Sequence, residues 1–143
     1  FNNPDIDNYF SIWDLGHLIA ISIPPIKRNM NGVRRLLRQL CDERVDIVIR
    51  YNTALTANKV VGIDRAFISK VLVAHDPELY FVKNTKTEKA LQKYGLQLPR
   101  GLSEGEKYRS ICIFLKQICE ESKIKVFAVL DYYLYLEGNI PED

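Results

Sequence analysis

Apolar residues recur at intervals of three and four along most of the chain, the pattern of amphipathic helices with one buried face. The clearest case is residues 31–49, where Val33, Leu36, Leu37, Leu40, Cys41 and Val45 follow these spacings. The pattern predicts a helix there, although the alternation over residues 45–51 also fits a short strand. Further helices are predicted over residues 5–23, 65–75, 85–94, 103–122 and 126–137, and residues 51–58 are predicted to form a short helix or a turn.

Particular residues mark where several of these helices begin and end. Ser103 is followed three residues later by Glu106, which is a capping-box pattern at a helix start. Gly95 is placed to close a helix, because glycine adopts the left-handed conformation that ends helices. The Asp76-Pro77 pair predicts another helix end. The fold class we expect is mostly α, a compact multi-helix bundle in which residues 1–143 form a single domain.

Composition limits the class of protein further. The 143 residues are 47% hydrophobic, which suffices for one domain with a core. No run of about 18 apolar residues occurs, so we expect no membrane partner. The chain begins at Phe1 without a basic leader, so we predict no signal peptide, and the sequence is consistent with a fragment of a larger protein.

The cysteine and histidine content predicts neither a disulfide framework nor a metal site. Three cysteines cannot all pair within one chain, which favours thiols in a reducing, intracellular compartment, cytoplasmic or, in a eukaryote, nuclear. Two histidines, His17 and His75, and the absence of a Cys-x-x-Cys spacing give no zinc pattern. No P-loop or nucleophile-elbow motif occurs, so no cofactor is predicted.

Basic residues concentrate in the middle of the chain. Residues 59–109 hold ten Lys/Arg and six Asp/Glu, whereas residues 110–143 hold three and six. Such an asymmetry favours an anionic partner for the middle segment. Another basic face lies on the helix predicted over residues 31–49 and consists of Arg34, Arg35 and Arg38. It could be a second phosphate surface, but we favour the interpretation that it is a solvated helix face.

A glycine turn between two predicted helices is the strongest local indication of a binding site. Residues 61–66 read Val-Gly-Ile-Asp-Arg-Ala, and Gly62 permits a tight turn that other residues resist. The start of the next helix presents backbone N–H groups without intrahelical partners, which favour an anion such as phosphate. Arg65 and Lys70 would add cationic contacts. The alternative interpretation is that Gly62 only caps a helix.

Three motifs in residues 59–138 resemble the helix-hairpin-helix DNA glycosylase superfamily, the endonuclease-III-like enzymes. Residues 61–66 fall on the family's hairpin, Pro-Gly-Val-Gly-Arg-Lys-Thr-Ala, and residues 83–87, Lys-Asn-Thr-Lys-Thr, fall on its Val-Asp-Thr-His-Val. Residues 131–138, Asp-Tyr-Tyr-Leu-Tyr-Leu-Glu-Gly, are similar to its His-His-Trp-Leu-Ile-Leu-His-Gly helix. The resemblance implies a helix-hairpin-helix motif whose phosphate-binding residues are Gly62, Ile63, Asp64, Arg65 and Lys70. It places Lys83, Asn84 and Lys86 beside the bound strand.

The residues that perform the chemistry of that family are replaced here. The family's lyase lysine falls on Ala66, which has no amine for a Schiff base. Its catalytic aspartate falls on Asn84, whose neutral amide cannot act as a general base. The second hairpin glycine falls on Asp64, which either repels a phosphate or caps the following helix. We therefore predict a non-catalytic DNA-binding module whose partner is DNA, expected to be duplex.

Two other functions stay open at this level. The same fold could serve as a protein-interaction or scaffold domain, which Asp64 and the acidic carboxyl-terminal segment favour. It could also be a glycosylase or lyase in which Asp64, Asp131 or Lys83 replaces the missing catalytic groups. Trp13, Tyr132 and Tyr133 are candidate walls for a flipped base, but we interpret them as core aromatics.

A second resemblance bears on the setting of the domain. Residues 66–84 and 98–108 look like helical modules attached to restriction and other phage-defence proteins. The resemblance implies that the chain is a recognition domain of a larger defence or DNA-processing protein, in contact with other domains of that parent.

Overall fold

Helices form all the regular structure in the part of the chain that the structure describes. The computed structural model describes residue 2 and residues 23–56, 60–83, 85–125 and 127–137. The helices within these ranges are α1 (Ile23–Lys27), α2 (Met30–Leu40), α3 (Ile47–Thr56), α4 (Arg65–His75), α5 (Thr85–Lys93), α6 (Glu104–Ser122) and α7 (Phe127–Glu137). The predicted mostly α, multi-helix fold is confirmed. The helix predicted over residues 5–23 lies outside the described residues except at its last position.

The predicted bounds of the four helices from α4 onward are confirmed to within one residue. At the start of α6, Ser103 Oγ accepts a hydrogen bond from Glu106 N, and Glu106 Oε2 accepts one from Ser103 N at 2.8 Å. Gly95 ends α5 with φ +95°, and the N–H of Leu96 donates to the carbonyl of Leu91 at 2.9 Å. Local capping chemistry therefore sets these boundaries.

The single helix predicted over residues 31–49 is wrong, and so is the alternative strand over residues 45–51. The chain leaves the helix after Leu40 and re-enters one at Ile47. Between them, Asp42 Oδ1 accepts from the N–H of Arg44 at 3.3 Å. Asp46 Oδ1 accepts from the N–H of Val48 at 2.9 Å. These short acidic side chains offer the backbone local partners that compete with helical hydrogen bonds.

The core is densest where α3 crosses α6. The rings of Tyr51 and Tyr108 stack with centroids 4.5 Å apart. Phe81, in the segment between α4 and α5, also stacks on Tyr108, with ring centroids 5.2 Å apart. The N–H of Gly105 donates to Asn52 Oδ1 at 2.9 Å, which joins the two helices directly. A β-carbon at Gly105 would lie 2.5 Å from the carbonyl oxygen of Val48, so the two backbones approach more closely than any side chain permits.

A buried arginine joins the other elements of the fold. The Arg50 side chain is 3% exposed, and its guanidinium donates to the Leu40 carbonyl at 2.7 Å and to the Tyr80 hydroxyl at 2.8 Å. It also makes a two-pronged contact with the Glu43 carboxylate, at 3.0 and 2.9 Å. His75 Nε2 lies 3.2 Å from the same carboxylate. The Arg50–Glu43 pair thus ties α2, α3, the end of α4 and the segment that follows α4.

Membrane insertion has no support among the described helices. None of them combines the length and the apolar composition that a crossing requires.

We expect Gly105→Ala to lower the free energy of unfolding by about 1–3 kcal/mol, the usual range for overpacking. Alanine favours helices, but the new methyl group would press on the Val48 backbone, which cannot move without displacing α3. Urea denaturation followed by circular dichroism measures the change. The control is Lys116→Ala on an exposed position of the same helix, expected to shift stability by less than about 0.5 kcal/mol. Equal stabilities for the two variants would contradict the close approach.

We expect Glu43→Gln to lower stability at pH 7 by about 1–3 kcal/mol, because Arg50 loses charge-assisted hydrogen bonds while the half-exposed carboxylate limits the effect. Burial acts to raise the pKa of Glu43, but hydrogen bonds from Arg50 and Tyr80 outweigh it and hold this pKa below its ordinary value of 4.5. The stabilisation is therefore full above pH 4.5 and is lost as the pH falls through the folded pKa. Thermal unfolding between pH 3 and 7 should show the wild type and the variant converging in acid.

Glu120→Gln, on an exposed position of α6, is the matched control and should show no such convergence. A difference between Glu43→Gln and the wild type that stays constant from pH 3 to 7 would show that the carboxylate charge contributes nothing.

Candidate functional site

The glycine turn is present and leads directly into α4. The N–H of Ile63 donates to the carbonyl of Val60 at 3.1 Å, and Gly62 between them has φ +94°. A turn with a positive φ at its third position needs glycine there. Asp64 then accepts a hydrogen bond from the N–H of Phe67 at 2.9 Å and caps the helix. Of the two roles considered for Asp64, capping is the one that the structure shows.

A pocket of about 300 Å³ opens beside this turn. Its charged walls come from the start of α4, from the segment before α5 and from the first turns of α5 and α6. They are Asp64, Arg65, Lys83, Glu88, Glu104 and Lys107, with Ala66 among the other lining residues. Three cations face three carboxylates, so the pocket is balanced in charge.

Glu104 lies at the centre of the charges in this pocket. Its Oε2 lies 2.9 Å from Arg65 Nε and 3.2 Å from Lys83 Nζ, and its Oε1 accepts from Lys107 Nζ at 2.9 Å. Burial acts to raise the pKa of Glu104, but the surrounding cations, Lys107 first, outweigh it and lower this pKa. Lys83 Nζ also lies 3.4 Å from Glu88. An arriving anion would have to share these cations with carboxylates.

Lys83 is held over the pocket by contacts of its own backbone and of its neighbour. Its N–H donates to Ser69 Oγ, on α4, at 2.9 Å. The carbonyl of Phe81 accepts from the Tyr108 hydroxyl, on α6, at 2.9 Å. The Lys83 side chain is 9% exposed, so its ammonium points into the protein rather than into bulk solvent. Packing against α4 and α6 therefore fixes this amine in the pocket.

The predicted phosphate contact of Lys70 is wrong. Lys70 is 0% exposed, and burial lowers the pKa of its amine. The physical reason is that α4 is buried on every side from Phe67 to Val73, so it has no polar face over those two turns. A substitution at Lys70 would disturb the core before it tested any surface contact.

Only some of the remaining predicted site residues lie at the pocket. Gly62 and Ile63 are half-buried, and the N–H of Ile63 is already used within the turn. Arg65 is exposed at the pocket, whereas Lys86 is exposed on the first turn of α5 and is no part of the pocket wall. Asn84 lies outside the described residues. Of the predicted set, the structure brings Asp64, Arg65 and Lys83 together.

Asp131 belongs to a contact between α5 and α7 and does not line the pocket. Its Oδ1 accepts from Thr87 Oγ1 at 2.8 Å. Burial raises the pKa of Asp131, and the hydrogen bond from Thr87 offsets this in part. Residues from two of the three resembling motifs are therefore in contact, while the carboxylate itself lies away from Ala66 and Lys83.

The interpretation of Tyr132 and Tyr133 as core aromatics is wrong, because they are 62% and 57% exposed. Tyr133 lines an apolar groove of about 430 Å³ between α6 and α7, together with Tyr94. Trp13 lies outside the described residues.

Sequence reasoning missed three of the six charged residues in the pocket: Glu88, Glu104 and Lys107. An acidic residue in the first turn of a helix is ordinary, because it favours the helix dipole. Glu104 next to a capping box therefore gives no local signal of a tertiary role. Only the packing of α6 against α3 and α4 reveals it.

In comparisons with known proteins, no protein-family model, curated protein or solved structure matches the chain. Within the described ranges, no group of three or more His, Cys, Asp or Glu residues is arranged to hold a metal ion. The three cysteines, all of them described, are free thiols.

We expect Asp131→Asn to be more stable than the wild type at pH 7. The pKa of Asp131 is raised above its ordinary value of 3.8, so its contribution to stability is full below pH 3.8 and is lost as the pH rises through the folded pKa. Asparagine keeps an oxygen for the Thr87 hydroxyl and carries no charge. Thermal unfolding at pH 3 and pH 7 measures the gain, which should be absent at pH 3.

Glu121→Gln, on an exposed position of α6, removes one negative charge as a control and should give no gain at pH 7. If Asp131→Asn were less stable than the wild type at pH 7, the Asp131 carboxylate would be needed in its ionised form.

Proposed function

We propose that this chain is a non-catalytic DNA-binding module with a helix-hairpin-helix, glycosylase-like arrangement. The observation that carries the proposal is the convergence of Arg65, Lys83 and Lys107 on one pocket at the start of α4, directly after a glycine turn. Turn, helix start and cations together match what a phosphate group needs.

The first turn of α4 supplies donors as well as charge. Asp64 occupies the N–H of Phe67, whereas Arg65 and Ala66 line the pocket and their N–H groups belong to the turn that has no intrahelical partner. A phosphate at this place would accept from the backbone and draw on the three cations around Glu104. Because carboxylates already share those cations, binding is expected to be weak, on the order of 10⁻⁴ to 10⁻⁶ M, and steeply dependent on salt.

The same pocket lacks the groups that the chemistry of the resembled family requires. Ala66 contributes a methyl group where the resembling family has its amine. Lys83 brings an amine to the same pocket, but that amine contacts both Glu88 and Glu104. A nucleophilic lysine must be free to attack, and this amine could meet a substrate carbon only if the two carboxylates moved aside. The third hypothesis, a lyase with a displaced lysine, therefore has the amine in place but not in a reactive environment.

A protein-interaction domain is the second candidate function, and one observation favours it. The groove between α6 and α7 is lined mainly by apolar side chains, and at its rim Tyr94, Tyr133 and Leu136 are 56%, 57% and 44% exposed. Exposed apolar clusters of this kind are typical of contacts with other proteins or domains. Such contacts and the membership of a larger defence or DNA-processing protein are compatible with the first proposal.

The test is fluorescence-anisotropy binding to duplex and single-stranded DNA at about 50 and about 200 mM salt. We expect measurable duplex binding at the lower salt. In Arg65→Gln/Lys107→Gln we expect it to be about tenfold weaker, with the slope of log K against log salt smaller by about two, near 0.9 per lost phosphate contact. These two side chains are partly exposed, so their removal should leave the fold intact.

Arg100→Gln/Lys116→Gln removes the same charge from exposed positions outside the pocket and should bind within twofold of the wild type. Absence of DNA binding at low salt would contradict the proposal and favour the protein-interaction domain. Equal affinities for the pocket variant and the control would place any DNA contact elsewhere.

A further inference from the structure

The first two helices carry a second basic surface that shares no residue with the pocket. Residues 23–40 contain five basic residues and no acidic one. Three of them, Arg34, Arg35 and Arg38, lie on one side of α2 at helical spacings of three and four, and all three are exposed. We call these three residues the arginine face.

The arginine face is held in a fixed orientation. On the opposite side of α2, Val33, Leu36 and Leu40 are each 0% exposed. The start of the helix is capped, because Asn29 Oδ1 accepts from the N–H of Gly32 at 3.0 Å. A helix anchored in this way cannot rotate its arginines out of solvent. Arg38 lies at these spacings from both Arg34 and Arg35, and neighbours so spaced lie about 5–6 Å apart at their β-carbons, so Arg38 joins the other two into one surface.

Charge pairing distinguishes this surface from the pocket. In the pocket each cation contacts a carboxylate, whereas Arg35 and Arg38 make no ion pair within the described ranges. The acidic residues nearest in sequence are engaged elsewhere, since Asp42 pairs with Arg44 and Glu43 with Arg50. An anion at the arginine face would therefore displace no carboxylate of the described residues from these two arginines.

We propose that the arginine face is a second contact surface for the phosphate backbone of a nucleic acid. The partner class rests on the proposed function, but the residues do not. Arginine suits phosphate because its planar fork donates two parallel hydrogen bonds. Each strand of a duplex carries a phosphate about every 3.4 Å along the axis, so one strand can meet three arginines spaced along a single helical turn.

The composition of α2 argues against a lipid surface as the partner. The other exposed residues of the helix are Asn31 and Gln39, both polar. A helix that lies in a membrane interface inserts its apolar face into the lipid, but the apolar face of α2 is buried in the protein core. Polar amides beside arginines are typical of sequence-independent contacts with phosphate and sugar.

The experiment measures binding of a fluorescent DNA duplex at several salt concentrations for Arg35→Gln/Arg38→Gln. We expect about tenfold weaker binding at low salt and a decrease of about two in the slope of log K against log salt. Arg35→Lys/Arg38→Lys should recover part of the loss, since charge returns without the fork. Both positions are exposed, and circular dichroism melting curves that match the wild type would show that the variants are folded. The control is again Arg100→Gln/Lys116→Gln.

Four outcomes separate this inference from the proposed function. Weakening at the arginine face without weakening at Arg65→Gln/Lys107→Gln would support the inference and remove the pocket as the binding site. Weakening only at the pocket would overturn the inference alone. An arginine-face variant that binds within twofold of the control would also overturn it. Displacement of the duplex by polyglutamate at the same charge concentration would show that any polyanion serves, and would overturn the assignment to nucleic acid.

Discussion

The two-pronged contact between Arg50 and Glu43 is the interaction on which the arrangement of the helices depends. The guanidinium reaches the last carbonyl of α2, the loop after it and the Tyr80 hydroxyl at the same time. Because Arg50 is almost fully buried, removal of its partner would leave a charge without compensation, which costs more than the pair itself contributes. We therefore infer that the pair constrains how these segments dock, beyond what it contributes to stability.

The constraint extends to the pocket through the chain itself. Tyr80, fixed by Arg50, is followed by Phe81, which stacks on Tyr108 and accepts a hydrogen bond from it. Two residues later Lys83 enters the pocket and meets Glu104, which stands three residues before Lys107 on the same helix as Tyr108. The position of the pocket amine is thus a consequence of core packing rather than of the turn. We therefore expect loss of the Arg50 contacts to alter the position of Lys83, although no bond joins the two residues.

Sequence alone could predict what depends on local chemistry. The bounds of α4, the capping box at Ser103 and the glycine end of α5 all follow from residues within one turn of each other, and all are observed. The break between α2 and α3 was missed because apolar spacing continues through it, and only the local bonds of Asp42 and Asp46 interrupt the helix. The burial of Lys70 could not be predicted from the sequence, because lysine is almost never fully buried and a surface position is the ordinary expectation.

The site shows the same division between local and tertiary information. The turn and the cap could be predicted from residues 61–66, but the electrostatics could not, since Glu104 reaches the hairpin from about forty positions away in the chain. Because that carboxylate pairs with the basic residues beside the turn, they are less available to an anionic ligand than the sequence suggests. Cations that look available in the sequence are shared in the folded protein, while the arginines of α2, which look like an ordinary solvated face, include two without an ionic partner in the described part of the chain. Net charge by segment counts both kinds of cation alike, whereas the ion pairs of the folded protein distinguish them.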